Sequence, residues 1–372
     1  NSALKGGEHY QERIKMNFLH LFPSFPKVYR WFSLAVVTAL GVIVLQLQLI
    51  SPIAAQSPVF LNGAGATFPL FLYQRWFQEY SQTHKDVQVN YQHIGTAAGI
   101  QQMISETVDF AGSDIAMTDA QMRKVDRGVV LIPMTSGSVA IAYNLPGIDG
   151  LKLSRDVYVD MFLGKIKRWN DSRIARLNPS LNLPNLPITV VHRSDGSGTT
   201  AVFTKHLSAI SSEWERKVGS GLSVSWLTGV GIKSNAGVSA QIQQGRGTIG
   251  YVEYSFAQQL GLSTASLENR AGNYVQPSLE ATRKALDNLT LPENLRAFVS
   301  DPQGEEVYPI VTYSWLLAYK DYNDPRKAKA LKEVLLWGLT EGQSYSEQLG
   351  YVPLSRSIVA KAKAAVETIG SR

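Results

Sequence analysis

The chain has 372 residues, enough for two ordinary domains, and its 44% hydrophobic and 18% charged content is typical of a globular protein. The formal net charge is +6, of which residues 1–55 carry +3, and the rest contains no run of Lys and Arg typical of a nucleic-acid surface. Cysteine is absent, which excludes disulfides, thiol nucleophiles, thiolate metal sites and a lipid-modified cysteine anchor.

Residues 1–55 have the pattern of an export signal. The basic residues Lys27 and Arg30 precede an apolar run over 31–50, and small residues close the run at Ala55. This order predicts a secretory signal peptide that is cleaved near Ala55. The apolar run is also long enough to remain as an uncleaved membrane anchor. In both cases the remainder of the chain is expected to be exported.

From Pro58 onward, strand-like and helix-like patterns alternate, which predicts an α/β fold with largely parallel sheets. The predicted strands lie at 59–61, 87–94, 108–114, 138–144, 188–191 and 309–319, and the main helices at 69–84, 201–210 and 326–339. The first helix is predicted to bury one face, formed by Leu70, Tyr73, Trp76, Phe77 and Tyr80. The Ser- and Gly-rich residues 219–239 are expected to form surface loops.

Three strand-to-helix turns carry a hydroxyl residue at the predicted helix start. These residues are Thr67, which we expect to cap the first helix, Thr96 and Ser197. A fourth strand ends in the carboxylate of Asp114. In open α/β sheets, ligands bind where the carboxyl ends of strands meet the amino ends of helices. The four residues are therefore predicted to converge on one ligand.

The third turn, residues 193–200, has the sequence Arg-Ser-Asp-Gly-Ser-Gly-Thr-Thr. Its glycines allow a tight turn, and the first N–H groups of the following helix lack partners, so that the turn can cradle an anion. Arg193 adds a permanent charge on a planar fork, and Asp195 is close enough to hold that fork in one orientation. The motif predicts a site for a small tetrahedral anion.

Other types of site have weaker support. The turn at Gly63 and Gly65 lacks the third glycine of a dinucleotide fingerprint, and residues 196–200 lack the lysine of a phosphate loop. Ser197 is not in a Gly-x-Ser-x-Gly elbow, and the histidines show no metal-ligand spacing. A single Thr- or Gly-containing turn is usually only a helix cap, and it is the combination of turns that favours a ligand site. We expect no catalytic residue, metal or cofactor.

Six segments also carry a resemblance. They are 63–69 (GAGATFP), 89–95 (VNYQHIG), 108–114 (VDFAGSD), 163–169 (LGKIKRW), 193–199 (RSDGSGT) and 249–254 (IGYVEY). In this order they resemble the periplasmic phosphate-binding proteins of Pst-type phosphate ABC transporters, from about Leu61 to the end of the chain. The resemblance implies a two-lobed type II periplasmic-binding-protein fold, with two mixed-sheet α/β domains joined by a hinge. We place domain 1 at 56–143 plus 314–372 and domain 2 at 144–313.

The resemblance also implies the residues that contact phosphate. They are Thr67, Phe68 through its backbone N–H, Thr96, Asp114, Arg193, Ser197, Gly198 and Thr199. Asp195 matches the residue that braces the arginine. Thr96 stands where many relatives have serine and keeps the hydroxyl, whereas Ala97 and Ala98 depart from the family pattern, which has a smaller, more polar pair there.

The function that the resemblance implies is capture of inorganic phosphate in the periplasm and its delivery to the permease subunits of a phosphate ABC transporter. The protein is expected to be a monomer that is not an enzyme and binds no nucleic acid.

The Asp114 carboxylate can only accept a hydrogen bond, so it requires an anion that still carries a proton, as hydrogen phosphate does and sulfate does not. The alternatives are a phosphate sensor or store, a protein for another oxyanion such as molybdate, and an exported phosphatase.

Overall fold

The structure is a computed structural model that describes residues 57–287, 289 and 291–371. The predicted signal peptide or anchor lies outside the described residues. Residues Pro58–Arg372 form one compact unit. Among the described residues, no helix combines the length and the apolar composition that crossing a bilayer requires.

Strands and helices alternate along the chain, as predicted. The strands are β1 (Val59–Gly65), β2 (Val87–Gln92), β3 (Phe110–Ser113), β4 (Val129–Tyr143), β5 (Lys152–Leu153), β6 (Thr189–Arg193), β7 (Val230–Ile232), β8 (Thr248–Glu253), β9 (Ser263–Thr264), β10 (Ser266–Glu268), β11 (Tyr274–Val275), β12 (Val311–Tyr319), β13 (Asp321–Tyr322) and β14 (Gly370–Ser371). The helices are α1 (Leu70–Thr83), α2 (Thr96–Ile104), α3 (Asp119–Met122), α4 (Arg155–Phe162), α5 (Ser172–Leu177), α6 (Gly198–Ile210), α7 (Ser212–Lys217), α8 (Ser234–Gln244), α9 (Tyr254–Leu260), α10 (Leu279–Asp287), α11 (Pro325–Gly338) and α12 (Arg356–Glu367). Two 3₁₀ turns, Glu341–Tyr345 and Glu347–Leu349, precede α12.

The main sheet is mixed, with strand order β2-β1-β3-β12-β4-β8-β6-β7, and β9 adds to β4. Strands β2, β1 and β3 are parallel to one another, as are β8, β6 and β7. The 15-residue strand β4 links the two groups, because residues 129–138 pair antiparallel with β12 and residues 139–143 pair antiparallel with β8. The carboxyl ends of the parallel strands in both groups lead into the turns that the sequence singled out.

Helix α1 shows why the sequence folds locally in this way. Its residues Leu70, Tyr73, Trp76 and Tyr80 recur at three- and four-residue spacing and are all buried, as predicted, whereas Phe77, which was predicted on the same face, is only half-buried. The Trp76 indole N–H donates to the carbonyl of Gly342 at 2.6 Å, which ties the helix to the 3₁₀ turn near the end of the chain. Burial of this aromatic face anchors α1 and thereby positions the turn that precedes it.

Three local predictions were wrong. Thr67 does not cap α1, because the helix begins only at Leu70. The Thr67 side chain instead accepts hydrogen bonds from Asn235. Strand β4 begins nine residues before the predicted strand at 138, since its first half is buried on both faces and lacks a clear alternation. Residues 219–239 are not all surface loop, because β7 and the start of α8 fall within them and Asn235 is completely buried.

Candidate anion-binding site

Arg193 ends the buried strand β6, and its side chain is 1% exposed. The carboxylate of Asp195 accepts a hydrogen bond from Nε at 2.7 Å and another from Nη2 at 2.5 Å. Burial raises the pKa of Asp195, but its hydrogen bonds and ion pair with Arg193 outweigh this and hold the pKa below its usual value. The remaining nitrogen, Nη1, is buried without a partner among the described residues. The fork is therefore fixed in orientation, with the two N–H groups of Nη1 left for a ligand.

Helix α6 begins directly after this turn, with Ser197 as its N-cap. The Ser197 hydroxyl oxygen accepts the N–H of Thr200 at 3.1 Å, which leaves the hydroxyl hydrogen available to another acceptor. Gly198 and Thr199 form the first turn of the helix and are buried. The positive end of the helix dipole, equivalent to roughly half a charge, adds to the positive charge of the Arg193 guanidinium. The start of α6 can thus stabilise an anion.

The other predicted residues lie at the ends of β1, β2 and β3. Thr67 and Phe68 connect β1 to α1, Thr96 is the first residue of α2, and Asp114 follows β3 directly. All four are buried, with exposed fractions of 2% or less. The Phe68 carbonyl accepts a hydrogen bond from the Tyr351 hydroxyl at 2.8 Å, which ties this turn to the segment between the second 3₁₀ turn and α12.

Asp114 is the single carboxylate that the sequence predicted to face the anion. It accepts a hydrogen bond from the Ser314 hydroxyl at 3.0 Å, and its backbone N–H approaches Thr96 Oγ1 at 3.5 Å. Burial raises the pKa of Asp114 to about 7, against the opposing effects of Ser314, Arg193 and Thr96. Near neutral pH this carboxyl group is therefore partly protonated when no ligand is bound, because its charged form is costly unless a donor faces it.

The residues that follow β6 are in direct contact with the residues at the ends of β1, β2 and β3. A Cβ on Gly198 would lie 2.6 Å from Thr96 Oγ1 and 2.7 Å from Asp114 Oδ2, so only glycine fits at this position. The N–H of Ala97 donates to the carbonyl of Gly196 at 3.0 Å. Ala97, which departs from the family pattern, thus joins α2 to the turn before α6. Gly95 supports the approach with a φ of +98°, which favours glycine.

Asn235, in the first turn of α8, is a member of this cluster that the sequence did not single out. Its Nδ2 atom donates to Thr67 Oγ1 at 3.0 Å and to Thr199 Oγ1 at 3.2 Å, and its Oδ1 atom accepts the N–H of Glu253 at 3.2 Å. It thereby connects a residue from each group to strand β8. Its position within a Ser- and Gly-rich segment concealed it, because such composition usually indicates a loop.

Ser314 in β12 was also missed. It lies 200 residues from Asp114 in the sequence, within a strand buried on both faces. A hydroxyl residue in such an apolar strand was the available signal, since a buried polar group needs a partner.

The site thus combines one arginine, several hydroxyl groups and a helix start with a single acceptor carboxylate, between two groups of parallel strands. Fold and site together are typical of a substrate-binding protein for a small anion.

Comparisons with known proteins agree with this class. The family model of the PBP superfamily domain matches residues 52–341. The phosphate-binding protein PstS of Haemophilus influenzae is 40% identical over 312 residues, which cover 83% of this chain and 92% of the relative. The phosphate-binding protein PstS of Methanocaldococcus jannaschii is 39% identical over 329 residues, with coverages of 81% and 84%. The chain therefore belongs to the PstS family of phosphate-binding proteins within the PBP superfamily.

A solved structure supports the fold independently. The phosphate-binding protein from Stenotrophomonas maltophilia has a TM-score of 0.65 at 19% identity, over 82% of this chain and 93% of that protein. The predicted type II periplasmic-binding-protein fold is therefore confirmed, whereas the domain boundaries and the roles of the individual site residues stay predictions.

Proposed function

We propose that this chain is the substrate-binding protein of a phosphate ABC transporter, which captures hydrogen phosphate and delivers it to the permease subunits. The observation that carries the proposal is the convergence of Arg193, the start of α6 and Asp114 in one buried cluster. Relatives of high coverage that are named phosphate-binding protein PstS support it.

In the proposed complex, the free Nη1 of Arg193 and the hydroxyls of Thr67, Thr96, Ser197 and Thr199 donate to phosphate oxygens, together with N–H groups of Phe68, Gly198 and Thr199. A dianion that leaves water needs all of its oxygens satisfied, because a buried unpaired charge costs several kcal/mol or more. Asp195 takes no part in the contact and instead holds the Arg193 fork in place.

We propose that Asp114 selects a ligand that still carries a proton. A carboxylate accepts hydrogen bonds only, so it pairs with the P–OH group of hydrogen phosphate. Sulfate has no proton at neutral pH, and its oxygens would meet the carboxylate with acceptor against acceptor and charge against charge. Sites that hydrogen-bond a particular substrate group reject the analogue that lacks it by about 10⁴-fold or more.

We further propose that binding closes two lobes, formed by residues 56–143 plus 314–372 and by residues 144–313. The contacts of Gly198 with Thr96 and Asp114, and of Gly196 with Ala97, support a closed arrangement across that division. The lobes would work in the periplasm as a monomer after export through residues 1–55, without enzymatic activity of their own.

The test is calorimetric titration of the purified chain, freed of ambient phosphate, first with phosphate and then with sulfate. One-to-one binding of phosphate without a sulfate signal would support the proposal. Binding of sulfate as well would overturn the role of Asp114, and silence to both would overturn phosphate capture itself. Turnover of a phosphate ester would indicate a phosphatase, whereas phosphate binding with no association with permease subunits would indicate a sensor or store.

A further inference from the structure

The side chain of Asn235 has a fixed orientation. Its Oδ1 atom lies 3.2 Å from the backbone nitrogen of Glu253, and a backbone N–H can only donate. The oxygen end of the amide must therefore face Glu253, and the NH₂ end must face Thr67 and Thr199. The residue is completely buried, so water does not compete for these bonds.

This orientation determines the polarity of both threonine hydroxyls. The NH₂ group of Asn235 is a donor only, so the oxygens of Thr67 and Thr199 accept from it. Thr67 Oγ1 also receives the backbone N–H of Asn235 at 3.4 Å, which occupies its second lone pair. What Thr67 has left to offer is its hydroxyl hydrogen, and this hydrogen needs an acceptor.

We propose that Asn235 sets the polarity of the anion site by holding the Thr67 and Thr199 hydroxyls as donors toward the bound anion, one from each side of the cluster. The inference rests on the proposed capture of phosphate at these threonines. Asn235 is a positioning residue that acts through the two hydroxyls without touching the ligand. Because these two hydroxyls are fixed as donors, the P–OH group of the ligand donates its hydrogen bond to Asp114.

The experiment compares phosphate affinities of the full chain and of two variants at this position. In Asn235→Asp, a carboxylate replaces the amide and can only accept, so the threonine hydroxyls turn toward it and away from the anion. We expect phosphate affinity at pH 8 to fall about a hundredfold or more, because two hydrogen bonds to a charged ligand are lost and a negative charge is added. In Asn235→Ala, where the hydroxyls are merely released, the loss is expected to be about tenfold.

The pH profile separates this role from simple structural support. From pH 8 to 5.5, affinity should recover in Asn235→Asp relative to the parent, because the ligand and the new carboxyl group both gain protons. The ionisable groups around this position, Asp114, Arg193, Asp195 and Glu253, are the same in all variants. Equal losses in Asn235→Asp and Asn235→Ala, with the parent's pH profile, would overturn the proposal.

A double-mutant cycle keeps the test decisive if the aspartate variant does not fold. In a Thr67→Val, Thr199→Val background, Asn235→Ala should cost less than about twofold, because the hydroxyls through which it acts are gone. An undiminished loss would contradict the proposal.

Asn178→Asp is the matched control. Asn178 is also a buried amide, and it donates to the carbonyls of Lys152 and Ile174. This variant should lower the melting temperature and leave phosphate affinity unchanged. If the parent itself bound no phosphate, the proposed function would fail. Tight binding by the parent with retained affinity in both Asn235 variants would refute only the role of Asn235.

Discussion

Gly198 and Asp114 are in contact, although 84 positions separate them in the sequence, and the space between them has no room for a methyl group. The first turn of α6 and the carboxyl group after β3 therefore face the same small volume. One supplies N–H donors and the positive end of a helix dipole, and the other supplies an acceptor. A tetrahedral anion with one remaining proton satisfies both.

Replacement of Gly198 by alanine should prevent this approach. A Cβ 2.6 Å from Thr96 Oγ1 and 2.7 Å from Asp114 Oδ2 forces the two groups apart, and a displacement of this size can cost about a hundredfold in function. We expect Gly198→Ala to fold, to lose at least that much phosphate affinity and to show no contraction in small-angle scattering when phosphate is added. The control is Gly221→Ala, whose nearest contact would be at 3.3 Å. Parent-like affinity in Gly198→Ala would contradict the close approach.

Removal of the negative charge at Asp114 should relax the rejection of sulfate. Asn at this position can donate a hydrogen bond, so an unprotonated anion is no longer met by an acceptor and a like charge. We expect Asp114→Asn to bind sulfate measurably in calorimetry and to bind phosphate at least about tenfold more weakly than the parent. Asp109→Asn is a suitable control, because Asp109 pairs with Lys327 at 2.7 Å. No gain in sulfate affinity would show that Asp114 does not select the ligand.

The guanidinium of Arg193 should not be replaceable by an ammonium. Lysine carries the charge but cannot bind both oxygens of Asp195 and still direct a donor at the anion. We expect Arg193→Lys to lower phosphate affinity by about tenfold to a hundredfold. Arg155→Lys is the matched control, because Arg155 makes a comparable two-point contact with Asp301 at 2.8 and 2.7 Å. Similar losses in both variants would indicate general destabilisation.

The raised pKa of Asp114 predicts a pH dependence of stability in the absence of ligand. Its pKa of about 7 in the folded protein exceeds the value of about 3.9 in an unfolded chain, so the folded state binds more protons between these values. The contribution of Asp114 to stability should therefore decrease as the pH rises from about 4 through 7. Glu253, whose pKa burial also raises, acts in the same direction.

The measurement for this effect is thermal unfolding of phosphate-free protein at pH 5 and pH 8. The parent should lose more stability over this interval than Asp114→Asn, because the variant lacks the Asp114 carboxyl group, whereas Glu253 and the buried histidine His206, whose pKa burial lowers, contribute equally to both proteins. An equal loss in parent and variant would mean that the folded environment does not shift the Asp114 pKa.

The sequence predicted those parts of the site in which the partners are close along the chain. Arg193 and Asp195 are two residues apart, and Ser197 caps the helix that it precedes. The partners of Ser314 and Asn235 could not be predicted, because they depend on how distant strands and helices pack. Asn235 meets Thr67 across 168 positions, and no local pattern encodes such a meeting.

The same distinction between local and long-range features applies to the fold. The aromatic face of α1 was predictable from its spacing, whereas the length of β4 was not, since a strand buried on both faces loses the alternation that reveals it.

The pairing of Arg193 with Asp195 has a kinetic consequence. With Asp114 ionised, these three side chains sum to one negative charge, so together they do not attract an approaching anion from a distance. They therefore add nothing to long-range steering, which accelerates association at low salt and vanishes at high salt. Capture at the site depends on hydrogen-bond donors that act only at contact, so these three side chains should not make its rate fall as salt is added.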